Sequence, residues 1–154
     1  MPLNTKNHKE EKRAILMKSL SLPKHTRSIV LCYIKDEEVK EFLRDACSAL
    51  SVTLLTWIDD TAIEGADAFI TDHLDESIPL ATLLQHVTIP IVPKDKQFEK
   101  VFTEFNPMKF EWNAFIFESC NKFLVLEKLI RFLENIRYPG DKRTLLQNIE
   151  KTTL

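Results

Sequence analysis

Glycine is nearly missing from this chain: Gly65 and Gly140 are the only two among 154 residues. Sites that cradle phosphate with bare backbone use glycine where the main chain must approach the ligand, so that mode of binding has little material here. No P-loop, no G-x-G-x-x-G fingerprint and no Ser-His-Asp arrangement occurs. Cysteine is also sparse. Cys32, Cys47 and Cys120 are odd in number, far apart and set among apolar neighbours, which reads as buried thiols rather than a disulfide or zinc site. An excess of basic charge is absent as well. Lys and Arg number 21 against 23 Asp and Glu, for a net charge of -2, so no basic face is available for nucleic acid. No apolar run reaches the roughly 20 residues that span a bilayer, and no membrane partner is expected. The start, MPLNTKNHKEEKR, is polar and lacks the apolar segment of a signal peptide; a cytoplasmic location is the default expectation.

What is present is a well-mixed globular composition, 44% hydrophobic and 29% charged, of a length that suits one domain over residues 1–154. An amphipathic helix over Lys9 to Leu20 and a linker occupy residues 1–26. Five apolar, β-branched segments then read as buried strands: 28–34, 52–58, 66–71, 88–92 and 113–118. Helical patterns fall between them. Asp36 opens one whose Val39, Phe42, Leu43, Ala46, Cys47 and Leu50 form a single stripe. Ser77 and Pro79 start another, and Asp95 caps a helix carrying Phe98, Val101, Phe102 and Phe105. Residues around Gly65 read as a polar turn. A long helix from Lys122 to about Arg137 is expected to bury Phe123, Leu126, Leu129, Ile130, Leu133 and Ile136, and a last helix lies within 139–154. Continuous apolar strands alternating with helices indicate an α/β fold, a single Rossmann-like three-layer domain with a mostly parallel sheet of about five strands and helices on both faces. Right-handed crossovers place all strand C-terminal ends on one edge. A ligand site is expected there, near Lys35-Asp36, Asp72 to Glu76, Pro93 to Lys96 and Glu118 to Asn121.

Several segments in order resemble the C-terminal domain of glycogen/starch-synthase-type glycosyltransferases. HKEEKRAILMKSLSLP resembles the stretch before that domain. GADAFITD resembles the family's G-A-D-x-F-L-x-P strand, and VTIPIVPKDKQFEKVFTEFNP its G-T-x-P-I-V-x-x-T-G-G-L-x-D-T-V-x-D-F-N-P run. NAFIFES resembles G-x-G-F-x-F, and LEKLIRFLENIRYPGDKRTLLQNI the closing helices. One helix–strand–helix portion of the family domain is missing around residues 50–65. The resemblance implies the half that holds the sugar nucleotide, with no room for the other half, and half a cleft cannot position donor and acceptor together.

The departures fall on chemical positions. Where the resemblance implies an Arg and a Lys against the donor's diphosphate, this chain has Tyr33 and Glu38. A carboxylate there opposes the developing charge that a cation would stabilise. The T-G-G turn reads Lys94-Asp95-Lys96, and the glycine before the T-x-P-I-V strand is Val87. Glu76, aligned across a two-residue gap, matches the family's acidic residue, a weak catalytic candidate whose partner eight residues on is Leu84. The resemblance therefore implies a shortened, degenerate relative, more a binding or accessory module than an enzyme. Its partners would be an N-terminal-type glycosyltransferase half, a nucleotide sugar or a glycan, or another protein or a second copy. An alternative is the donor-nucleotide-binding subunit of an active or split hexosyltransferase.

Other groupings admit two readings each. Asp72, His73, Asp75 and Glu76 can hold a cation or sugar hydroxyls, or simply solvate a loop before a helix. His73 has no second histidine at helical spacing and no adjacent cysteine, so no metal and no cofactor is expected. Lys94, Lys96 and Lys100 can meet a phosphate or merely solvate a helix. Trp57, inside VTLLTWI, reads as core, whereas Trp112, in a polar loop with Phe110, reads as exposed and able to stack on a sugar or partner. A receiver-like signalling domain also fits the βα layout, with Asp36-Glu37 after the first strand and Asp72 after the third. It lacks the lysine after the last strand, where Glu118 stands, and the hydroxyl position is Pro93.

Overall fold

The computed structural model describes residues 2–23, 27–106 and 108–154, with side chains from His8 onward; residues 24–26 of the expected linker lie outside them. Helix α1 (Pro2–Ser19) leads into β1 (Ser28–Cys32), α2 (Glu37–Ala49), β2 (Val52–Leu55), α3 (Asp60–Gly65) and β3 (Ala68–Ile70). Then follow α4 (Leu80–Gln85), β4 (Ile89–Pro93), α5 (Lys96–Glu99), β5 (Phe115–Phe117), α6 (Lys122–Asn135) and α7 (Pro139–Glu150). The five strands form one sheet in the order β2-β1-β3-β4-β5, every pair parallel. β1, β3 and the middle of β4 are buried throughout, as expected of strands covered on both faces. Helix α2 packs on β2 and α6, while α1 packs on α3, α3 on α4 and α4 on α7.

Local chemistry sets the helix starts. Asp36, Asp59, Asp95 and Asn121 each accept backbone N–H groups in the first turn of α2, α3, α5 and α6. Each such cap is worth about 1 kcal/mol. Pro139 begins α7, where its missing N–H costs nothing.

Six expectations are corrected. The stretch around Gly65 is a short helix, α3, and its glycine lies against α1. The second strand stops at Leu55, and Trp57 beyond it is 82% exposed instead of core. Trp112 is 2% exposed, packed edge-on against Phe105 with ring centroids 4.4 Å apart. Cys120 is exposed, whereas Cys32 and Cys47 are buried. Phe123 and Ile130 of α6 are exposed, since the buried face runs through Val125, Leu129, Phe132 and Leu133. The helix expected from Asp95 is only the four residues of α5.

At the N-terminal edge of the sheet α1 is fastened by polar contacts. Arg13 Nε donates to both oxygens of Asp67 at 2.9 and 3.1 Å, and Asp67 also accepts the Ile29 N–H at 2.8 Å. Lys9 Nζ reaches the Glu64 carbonyl and the Thr88 hydroxyl, and burial draws this amine down to about 8.

Candidate functional site

The connection from β1 to β2 runs one way across the sheet and the next connection returns past β1 to β3. The direction in which strands are added across the sheet therefore reverses between β1 and β3. In open α/β sheets the crevice outside the strand C-terminal ends at such a reversal is where ligands bind. The residues there are Lys35 and Asp36, after β1, and Asp72 and His73, after β3.

The crevice is occupied by the protein's own carboxylate. Both oxygens of Asp72 accept the Lys35 N–H at 3.1 Å, and one also accepts the Asp36 N–H at 3.1 Å. His73 Nδ1 lies 2.8 Å from Asp72 Oδ1, and the Cys120 thiol donates to Oδ2 from 3.9 Å. Around this centre Lys35 Nζ pairs with Asp75 at 2.8 Å, and His73 Nε2 is 3.5 Å from the same carboxylate. Thr71 Oγ1 donates to the His73 carbonyl at 2.8 Å and fixes the turn. Burial alone would raise Asp72, but the hydrogen bonds from His73, Lys35 and Asp36 outweigh it and hold the carboxyl below 3.8. Burial, then the Asp72 and Asp36 carboxylates, push the Cys120 thiol up to about 11, so it is a donor and not a thiolate nucleophile.

The sequence brought Asp72, His73 and Asp75 together, and the structure does so too. Glu76 is exposed and makes no hydrogen bond or ion pair among the described residues. Lys94 stands at the end of β4, 3.5 Å from Glu118, and Lys96 is exposed at the start of α5. Trp112 is no ligand platform; its carbonyl and that of Phe110 accept the Asn148 amide at 2.7 and 2.8 Å, which ties this loop to α7. Phe110 is exposed and lines a shallow cleft of about 380 Å³ with Lys100, Glu111 and Lys151. Sequence reasoning missed the Lys35 and Asp36 backbone as the partners of Asp72, and Cys120 as a neighbour. The only signal was their shared place at strand C-terminal ends. Tyr33 packs edge-on against Phe69, and Glu38 accepts from Lys122 Nζ at 3.2 Å. Among the described residues no group of three His, Cys, Asp or Glu side chains is placed to hold a metal ion.

Removing the Asp72 carboxylate takes a charged acceptor from two backbone donors at exposed residues. Asp72→Ala is expected to lower stability by about 1–3 kcal/mol. Because the folded carboxyl is held below its unfolded value, this contribution is complete above the ordinary aspartate range. It is lost as pH falls through the lowered folded value. Urea unfolding at pH 7 and pH 3 should therefore show a gap between wild type and variant that narrows in acid.

The five parallel strands, two helical layers and a reversal crevice at the strand ends define a Rossmann-like α/β domain. A solved structure of the catalytic domain of starch synthase IV from Arabidopsis thaliana, bound to ADP and acarbose, superposes with a TM-score of 0.69 over 92% of this chain, at 18% identity. The likeness shows a shared fold, and this chain spans 38% of that domain. No family model matches the sequence, and no curated protein matches it. Among the described residues no helix is long and apolar enough to cross a membrane.

Proposed function

We propose that this chain is a degenerate glycosyltransferase-like domain that acts by binding and does not transfer sugar. One observation carries the reading: the backbone N–H groups at the reversal crevice, free to greet a phosphate in a nucleotide-binding domain, are taken by Asp72. The first turn of α2 adds Glu37 and Glu38, so an incoming diphosphate meets acids on both sides. Glu104 and Lys128 are likewise engaged with each other and Lys94 with Glu118, so of the lysines named from the sequence Lys96 and Lys100 make no ion pair among the described residues. The strand order supports a shortened domain. Deleting the outer strand unit of a 3-2-1-4-5-6 sheet leaves 2-1-3-4-5, the order present. The binding partner is then a glycosyltransferase half, a nucleotide sugar or a glycan that meets the strand C-terminal edge.

The test is glucosyl transfer from ADP-glucose or UDP-glucose to a glucan by the purified chain. No transfer is expected, and Glu76→Ala should change nothing; transfer abolished by that variant would overturn the reading. Titration calorimetry with ADP, UDP and their glucose conjugates sets apart the donor-binding subunit of a split enzyme, which would bind without transfer. The same strand order is that of receiver domains. Acetyl-phosphate labelling that disappears in Asp72→Asn would favour that second reading, although both Asp72 oxygens are already hydrogen-bonded.

A further inference from the structure

The long connection between β4 and β5 does two things. Part of it covers the outer side of β5. The Phe105 N–H donates to the Ala114 carbonyl at 2.8 Å, the Asn113 N–H to the Thr103 carbonyl at 3.1 Å, and Glu104 accepts the Ile116 N–H. The rest carries Phe110 out into solvent at 77% exposure, ahead of the N-terminal end of β5 and away from the Asp72 crevice at the strand C-terminal ends. The backbone under this ring is fixed. Asn148 Nδ2 donates to the carbonyls of Phe110 and Trp112 at 2.8 and 2.7 Å, and Asn106 Oδ1 accepts the Met108 N–H at 2.9 Å. Trp112, two residues on, is sunk in the core.

Phe110 borders the cleft of about 380 Å³, which falls within the range of roughly 300–1,000 Å³ usual for ligand sites. The floor of the cleft is satisfied internally. Asn113 Nδ2 donates to the Val101 carbonyl at 3.0 Å and to the Thr152 hydroxyl at 2.8 Å, and that hydroxyl donates to the Asn148 carbonyl at 2.8 Å. The rim is not. The Lys100 and Lys151 ammonium groups, the Glu111 carboxylate and the Thr153 hydroxyl make no hydrogen bond or ion pair among the described residues. A rim of both signs suits neither kind of ion: a phosphate would meet Glu111, and a metal cation would meet two ammonium groups. A neutral molecule with hydroxyls, which both donate and accept, matches amine, carboxylate and hydroxyl alike. The face of the Phe110 ring is negative and attracts weakly positive C–H groups. A pyranose offers both features, a face of C–H groups and an edge of hydroxyls.

We propose that this cleft is a carbohydrate-binding site that takes a pyranose unit of an oligosaccharide, its C–H face stacked on Phe110 and its hydroxyls bonded to Glu111, Lys151 and Thr153. The pinned loop keeps the ring in place before the sugar arrives, so little ordering is needed on binding. The site lies apart from the strand C-terminal edge, and the inference stands whatever that edge binds.

Maltotriose and cellotriose, each titrated into the isotope-labelled full chain and followed by backbone amide chemical shifts, test it. For at least one of them a Kd on the order of 1 mM is expected, as one ring and a few exposed polar groups imply. The shifts should gather at Phe110, Glu111, Asn148, Lys151 and Thr153. Phe110→Ala should weaken binding by about tenfold or more through loss of the stacking face. Glu111→Ala should weaken it by about threefold or more through loss of a charged acceptor. Both side chains are exposed, and circular dichroism verifies that each variant folds. Trp57→Ala, which removes an exposed ring at the far edge of the sheet, should leave the affinity unchanged. No shift with either sugar at about 20 mM, well above the expected Kd, overturns the inference. So does binding that survives Phe110→Ala, or ADP or inorganic phosphate moving the same amides at lower concentration than the sugars. Shifts confined to Lys35, Asp72 and His73 would put the sugar at the crevice and overturn it as well.

Discussion

Trp112→Ala is expected to destabilise the domain by about 3–5 kcal/mol, the usual cost of emptying a large aromatic site in a core. The indole is almost wholly buried and packs on Phe105, which stacks on Phe115 at 5.3 Å; Phe115 in turn meets Phe132 of α6 edge-on at 6.1 Å. This aromatic row joins the loop before β5, the strand itself and the helix after it. A domain of this size has about 5–15 kcal/mol of stability in all, so the variant should lose a large part of it. Thermal unfolding should fall by roughly 6–20 °C, at about 2–4 °C per kcal/mol. Trp57→Ala is the control. Its ring is in water in the single chain, and its removal should change the unfolding free energy of the monomer by less than about 0.5 kcal/mol. Fluorescence separates the two: the blue-shifted, buried component should vanish with Trp112 and survive the loss of Trp57.

Gly65→Ala is expected to cost about 1–3 kcal/mol, with α1 displaced, because it overfills a tight contact. A Cβ at this position would sit 2.6 Å from the Lys12 carbonyl and 2.8 Å from the Leu16 Cβ. Neither can yield easily. The carbonyl belongs to the backbone of α1, and Leu16 is buried in the core. Relief requires α1 to lift from α3, which also strains the Arg13–Asp67 pair. The midpoint of urea unfolding measures the cost, and hydrogen exchange along α1 should quicken more than exchange in β1 or β3. Gly140→Ala, where a Cβ meets nothing within 4 Å, should be close to neutral.

Much of the fold was legible because the signals were local. SIVLC, AFI and IPIV are apolar on successive residues, a pattern only a strand buried on both faces needs, and all three lie inside the sheet. Asp36, Asp95 and Asn121 begin helices for reasons contained within one turn. The two tryptophans exchange their expected settings because those settings are tertiary. Trp57 follows an apolar run that belongs to an edge strand, and no neighbour covers it. Trp112 has Glu111 and Asn113 beside it, yet Asn113 is itself buried, its amide satisfied by the Thr103 N–H, the Val101 carbonyl and the Thr152 hydroxyl. No window of sequence contains those partners. Helix α3 escaped because six residues ending in glycine carry little periodicity, and Asp59 was its one sign. The strand-end rule puts Asp72 and His73 at the C-terminal end of β3, and that is where they stand. That the carboxylate turns inward onto the backbone after β1 depends on how two distant strand ends meet, which spacing cannot specify.

The loop laid over β5 has a consequence for growth. A sheet with two sticky sides can add molecules without end, as fibres do. Here one side is sealed by the chain itself, so a strand arriving at β5 finds no row of open N–H and carbonyl groups to copy, and growth from that side is blocked.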